Sequence, residues 1–242
     1  MALKFREDHD IAFLQQADQG DLEALAWLLT HDSDDKPRYA QELLEDKSFR
    51  QHIDELQKAW KSIAAELQKF GGDAIANTVR GGGVPYREIL DNVCSRAGVK
   101  DVPAKDVVDR ENQLLKTVMT KYFKSASEKD IEEFMVNAGE VSAAHKKMTS
   151  EEITSLIGKD LRFSLLIAQS AAIAVQQSAK LIGMSAVARY GAVFVPGLNL
   201  IVAPLAVTAL TGPAYRVTMP AVLQIAFMRR KALADNFKEV TL

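Results

Sequence analysis

Apolar residues recur at helical spacing along most of the chain. In the segment after Asp21, for example, leucines and a tryptophan repeat every three or four residues, as on one face of a helix. We predict helices at residues 11–17, 22–29, 39–49, 53–70, 74–80, 86–97, 106–123 and 128–141, and a long one after the capping box of Thr149 and Glu152. No stretch alternates apolar and polar residues as a strand does. The pattern predicts an all-α protein, a helical bundle.

Charge divides this bundle unevenly. Residues 161–234 contain no Asp or Glu but seven Lys or Arg, although the whole chain holds 32 acidic residues. Residues 1–160 carry a net charge of −8 and residues 161–242 a net charge of +6. With the loops, this asymmetry predicts three regions. They are an N-terminal helical-pair module (1–35), an acidic helical region (36–148) and an apolar, cationic C-terminal helical region (149–242).

The C-terminal region contains an uncharged stretch, residues 190–215, which is long enough to cross a bilayer. Prolines at 196, 204 and 213 make one straight spanning helix a poor solution, since each costs an interior helix about 3 kcal/mol. We predict instead a proline-broken hairpin, with residues 196–199 as the turn between arms at 181–195 and 200–210. It either inserts partly or at the interface of a membrane, or is buried in the protein core.

A final helix is predicted to begin at Thr218, with Pro220 in its first turn, and to close on three cations. Those cations suit the negative end of a helix and would equally suit anionic headgroups. Arg216 is predicted to be a helix-end or carboxylate partner, with Tyr215 beside it. The candidate membrane or partner contacts are Arg216, Arg229, Arg230, Lys231, Tyr215, Leu200 and Leu205.

Candidate catalytic or metal-binding residues are scarce. The four histidines are far apart, with no zinc-ligand spacing, and no G-x-S-x-G nucleophile motif occurs. Cys94 is the only cysteine, so no intrachain disulfide can form, and it reads as a small buried hydrophobe of a reducing compartment. The loop candidates are Arg80, Gly81, Gly82 and Gly83. This run lacks the ending of a phosphate-binding loop and reads as a flexible turn that lets a partner approach the backbone.

Several longer motifs resemble the YaaW-like family of uncharacterised bacterial proteins. They are residues 63–77 (IAAELQKFGGDAIAN), 80–81, 86–90 (YREIL), 214–226 (AYRVTMPAVLQIA) and 229–230, with residues 5–32 similar to a short module often found in front of that family. The family is grouped distantly with ubiquinol–cytochrome c chaperones. The resemblance therefore implies a helical, non-enzymatic holder of apolar segments and carries over no catalytic residues.

The function predicted from these observations is non-enzymatic, without cofactor, metal, nucleic acid or small-molecule substrate. We expect a cytoplasmic protein, peripheral to or partly inserted in the inner membrane, because the N-terminus has no signal-peptide pattern. Its partner would be the membrane surface or an apolar segment of a membrane protein. The alternatives are a membrane-disrupting or pore-forming effector and a fully soluble interaction module with the hairpin as its core. Leu205→Asp separates the last case, since a buried charge would unfold it.

Overall fold

The computed structural model describes residues 3–31, 36–71, 83–100, 103–125 and 215–239, together with the isolated positions 127, 149 and 152. Within these ranges the chain is helical, and the only β-type pairing described is an isolated bridge between His31 and Pro37. The prediction of an all-α protein is confirmed. The predicted hairpin and its neighbouring helix lie outside the described residues.

Six α-helices are described. They are α1 (Gln19–Thr30), α2 (Lys47–Gln51), α3 (Trp60–Phe70), α4 (Tyr86–Ala97), α5 (Val107–Ser125) and α6 (Tyr215–Glu239). Three short 3₁₀ helices accompany them, at His9–Gln16, Leu43–Glu45 and Leu56–Ala59. Residues 3–8 have no regular secondary structure and lead into the first 3₁₀ helix.

The continuous helix predicted over residues 39–49 is wrong. Asp46 adopts an extended backbone, with φ −66° and ψ 130°, and so separates the 3₁₀ turn before it from α2 after it. Its carboxylate accepts the backbone N–H of Phe49 at 3.0 Å, as an N-cap does, and the hydroxyl of Ser62 at 2.7 Å. The tie to α3 therefore fixes a helix start in the middle of the predicted helix.

The predicted start and end of the last helix are also wrong. α6 begins at Tyr215 and runs to Glu239, so Pro220 lies inside it and the three cations lie in its middle. Proline removes one backbone hydrogen bond from a helix interior. Met219 and Ala221 on either side of it are fully buried, so packing of the surrounding turns offsets that loss.

The centre of the core is filled by α6. From Val217 to Ala226 every residue is buried, as expected of a helix surrounded by other helices. It packs against α1, α3, α4 and α5. Leu25 of α1 and Ile63 of α3 join Leu223 of α6 in one hydrophobic cluster, so all three predicted regions contribute to a single core. Both predicted region boundaries lie beside residues outside the described ranges.

Hydropathy within the described part of the chain shows no helix that is both long and apolar enough to span a bilayer. Cys94 of α4 is fully buried, and burial raises the pKa of its thiol to about 12. The prediction of a buried hydrophobe at this position is confirmed.

Candidate functional site

A polar cluster lies between the N-terminal segment and α4, α5 and α6. Glu111 of α5 is buried at its centre. The hydroxyl of Tyr86, the first residue of α4, donates to Glu111 Oε1 at 2.7 Å. Arg229 of α6 donates its Nε–H to the same carboxylate, with 2.9 Å to Oε2 and 3.1 Å to Oε1. Its Nη2 donates to the carbonyl of Asp10, and its guanidinium lies 4.2 Å from the ring centroid of Phe13. Arg229 of α6 thereby contacts α5 and the first 3₁₀ helix directly, and it is joined to α4 through the carboxylate of Glu111 that Tyr86 also binds.

The electrostatics of this cluster follow from its burial. Burial raises the pKa of Glu111, and the charge of Arg229 and the hydroxyl of Tyr86 oppose that rise by stabilising the carboxylate. Burial, with the neighbouring charge of Glu111, also raises the pKa of Tyr86 well above 10. The hydroxyl therefore keeps its proton and acts as a donor. This is a structural ion pair with its acceptors occupied, the usual state of a buried charge.

The next two cations of α6 are also directed inward. Arg230 is buried and donates to Asn112 of α5, and burial lowers the pKa of its guanidinium to about 10. Lys231 donates to the carboxylates of Asp18 and Asp21 at the start of α1, at 2.9 Å from Asp21 Oδ2. Burial alone would lower the pKa of Lys231, but these two carboxylates raise it overall. The sequence motif of three cations is thus bound by the acidic N-terminal half.

The other predicted contact residues are placed differently. Tyr215 is partly buried, with the guanidinium of Arg96 5.1 Å from its ring centroid. Arg216 lies in the first turn of α6, and its side chain is outside the description. Leu200 and Leu205 fall outside the described residues, as do Arg80, Gly81 and Gly82 of the loop. Among the candidates that the structure describes, Arg229, Arg230 and Lys231 lie together.

Gly83 is the loop candidate that the structure describes, and it lies against α3. The N–H of Val84 donates to the carbonyl of Gln68 at 3.0 Å, and Arg6 Nη1 reaches the carbonyl of Gly83 at 3.4 Å. A Cβ on Gly83 would lie 2.5 Å from the carbonyl carbon of Gln68. This close approach of two backbones is possible only because glycine has no side chain.

We expect Gly83→Ala to lower the free energy of unfolding by about 1–3 kcal/mol, because the backbone must shift to admit the methyl group. Urea denaturation followed by circular dichroism would measure this change. Gly98→Ala is the matched comparison. The φ of +73° at this position would strain the backbone of an alanine, but the atom nearest to its Cβ is the flexible end of Lys121, at 3.1 Å. The backbone crowding expected at Gly83 is therefore absent there. Equal stability of wild type and Gly83→Ala would contradict the close contact.

The N-terminal segment supplies residues that the sequence reading missed. The side-chain amide of Gln68 pairs with the backbone of Arg6, accepting its N–H and donating to its carbonyl, both at 2.9 Å. Asp8 caps two helices at once: one carboxylate oxygen accepts the N–H of Asp10 at 3.0 Å and the other the N–H of Tyr86 at 2.6 Å. Glu111 shares one face of α5 with Val107 and Leu115. A single acidic residue within an apolar stripe is the sequence feature that could have identified it as a buried polar residue.

Comparison with known proteins shows the family to which the chain is related. Residues 5–39 match the family described as "Domain of unknown function (DUF3944)". The chain is 33% identical over 241 residues to "UPF0174 protein YaaW" of Escherichia coli K12, an alignment that covers 98% of this chain and 100% of the relative. The chain belongs to the UPF0174 family. The resemblance predicted from the motifs is confirmed.

A second UPF0174 protein, from Helicobacter pylori strain J99, is 25% identical over 245 residues, covering 97% of this chain and 96% of its own length. No solved structure matches the chain. Among the described residues of this UPF0174 member, no group of three or more His, Cys, Asp or Glu side chains is placed to hold a metal ion. The DUF3944 segment carries Asp18 and Asp21, and so supplies the carboxylates that bind Lys231 of α6.

Proposed function

We propose that this UPF0174 protein is a non-enzymatic helical protein that associates, through residues 161–214, with the cytoplasmic membrane or with apolar segments of a membrane client. The observation that carries the proposal is that residues 161–214 contain three basic residues and no acidic ones, whereas the cations of α6 are bound inside the bundle. Because Arg229 and Lys231 are held by Glu111, Asp18 and Asp21, α6 acts as an anchor inside the bundle.

The sequence immediately before α6 keeps the properties of a membrane-contact segment. Residues 161–214 include three basic residues, Arg162, Lys180 and Arg189, and no acidic ones. A basic residue close to an anionic membrane surface contributes about 1 kcal/mol of binding. In the part of the chain that the structure describes, the exposed large apolar side chains are Tyr39, Ile53 and Leu233. The described bundle therefore supports the contact segment as a scaffold and offers little apolar surface of its own.

Vesicle flotation of the purified full chain tests the proposal. We expect the chain to float with phosphatidylglycerol vesicles and, more weakly, with phosphatidylcholine vesicles. Changing Arg162, Lys180 and Arg189 together to Gln should weaken binding to the anionic vesicles by roughly 100-fold. The matched control changes three exposed cations of the bundle, Lys58, Lys61 and Arg87, to Gln and should retain binding.

Two further measurements distinguish the forms of the proposal. A chain that floats with neither lipid contradicts membrane association. In that case, association with a membrane client would be tested by placing a photoreactive amino acid at position 205. In cells, this residue would have to crosslink to a membrane protein. Vesicles loaded with dye separate simple association, which releases none, from a membrane-disrupting effector.

A fully soluble interaction module is the second candidate, because all three predicted regions share one core that is buried without lipid. If residues 181–210 are also part of that core, Leu205→Asp should lower the melting temperature sharply, whereas a membrane-contact segment would lose vesicle binding at unchanged stability.

A further inference from the structure

A buried carboxylate holds α3 against the segment that follows the DUF3944 module. Glu66 lies in the middle of α3 and is fully buried. Each of its carboxylate oxygens lies 3.2 Å from the backbone nitrogen of Glu42, so one N–H is shared between them. The nearest described ammonium, Lys69 Nζ, lies 3.7 Å from Glu66 Oε1. That distance is an ion pair without a short hydrogen bond.

Lys69 divides its charge among several oxygens. It donates to the carbonyl of Ala40 at 2.6 Å and lies 3.0 Å from Glu42 Oε1. Among the described residues, the charged groups that lie against Glu66 are Lys69 from α3 itself and Glu42 from the segment packed over it. Two carboxylates share one ammonium, and the cluster carries an excess negative charge when all three groups are ionised. Glu42 is partly exposed, whereas Glu66 has no access to water that could stabilise its charge.

We propose that Glu66 is a proton-linked joint, meaning that its protonation decides how tightly residues 38–46 pack against α3. When its carboxyl is neutral, the segment stays packed on α3 (the closed state). When the carboxyl ionises, the contact is weakened in favour of an open state. The segment lies at the exit of the DUF3944 module. Proton uptake at this single side chain would thus control how firmly the chain segment between the DUF3944 module and α3 is held in place.

The direction of the effect follows from the pKa. Burial, and to a lesser degree the charge of Glu42, raise the pKa of Glu66 from 4.5 to about 7, against the opposing effect of Lys69. A carboxyl whose pKa is higher in the closed state binds its proton more tightly there. The resulting stabilisation is complete below the pKa of the open state and is lost as pH rises through about 7. Between pH 6 and pH 8 the opening equilibrium constant should rise about ten-fold.

Hydrogen exchange at the backbone amide of Glu42 tests the joint, because this N–H is the group that Glu66 binds. In the full chain, its protection, corrected for the intrinsic pH dependence of exchange, should fall about ten-fold from pH 6 to pH 8. Glu66→Gln should make the corrected protection independent of pH. Glu42→Gln should keep the dependence but move its midpoint to lower pH, because it removes the neighbouring negative charge.

Either of two results would overturn the proposal: a change in wild-type protection of less than two-fold, or an unchanged pH dependence in Glu66→Gln. A direct titration of the Glu66 side-chain carbon by ¹³C NMR covers the case in which the variant does not fold. A midpoint near 7 supports the joint, and a midpoint below about 5.5 rules it out.

Discussion

Leu223→Asp should abolish folding of the described bundle. Leu223 is fully buried in the middle of α6, where α1, α3, α4 and α5 surround it. An aspartate there loses the packing of the leucine and buries a charge without a partner, at a combined cost of about 5 kcal/mol or more. Total stabilities of single domains are about 5–15 kcal/mol. We therefore expect loss of soluble protein, or loss of the cooperative thermal transition measured by circular dichroism.

Leu233→Asp is the matched control on the same helix. Leu233 is 40% exposed, so the same substitution should change the free energy of unfolding by less than about 1 kcal/mol. If Leu223→Asp folded as well as Leu233→Asp, α6 would not be the central helix. Its apolar side chains would then have to be assigned to another environment, such as lipid.

Arg229→Leu should destabilise the protein by about 3–5 kcal/mol, measured by urea denaturation. Among the described residues, the substitution leaves Glu111 with the hydroxyl of Tyr86 as its donor, and it removes the hydrogen bond to the carbonyl of Asp10. Because burial already raises the pKa of Glu111, the carboxyl should take up a proton when its cation is removed. The variant should consequently regain part of its stability as the pH is lowered toward 5.

The double variant Arg229→Leu/Glu111→Leu should be more stable than Arg229→Leu alone, since the carboxylate of Glu111 is then no longer left buried without its cation. The comparison on the surface is Arg87→Leu. Arg87 is about half exposed and lies 3.6 Å from Asp10 Oδ2, and its loss should cost within about 1 kcal/mol. Equal costs for Arg87→Leu and Arg229→Leu would show that the buried pair has no special role in holding α6.

The sequence predicted three of the described helices closely. The helices predicted at 22–29, 86–97 and 106–123 correspond to α1, α4 and α5 within a few residues, because apolar periodicity records the side facing the core. Prediction failed where a long-range tie decided the backbone. Asp46 starts a new helix because Ser62 and Phe49 bind its carboxylate, and the bond from Ser62, 16 residues further along the chain, is not contained in any local pattern.

The sequence identified the three cations of the candidate site but not the residues that bind them. The spacing of Arg229, Arg230 and Lys231 indicated one cationic cluster. Their acceptors lie far away along the chain, Glu111 118 residues and Asp21 210 residues before them. The charge asymmetry was interpreted as a sign of an external anionic surface. For Arg229 and Lys231 the chain provides the anions itself, and Arg230 is buried against the side-chain amide of Asn112. The remaining basic residues of the acid-free stretch are left for the proposed contact.

The central position of α6 also has a consequence for synthesis. The helix that completes the core leaves the ribosome after all of its described neighbours, whereas α1 is the earliest of the described α-helices. At about 5–20 residues per second, roughly 10–40 seconds separate the emergence of Thr30 from that of Tyr215. During this interval the apolar face of α1 waits without its principal neighbour. The nascent chain is therefore open to cellular factors that shield apolar surface, and its core can be completed only once α6 has emerged.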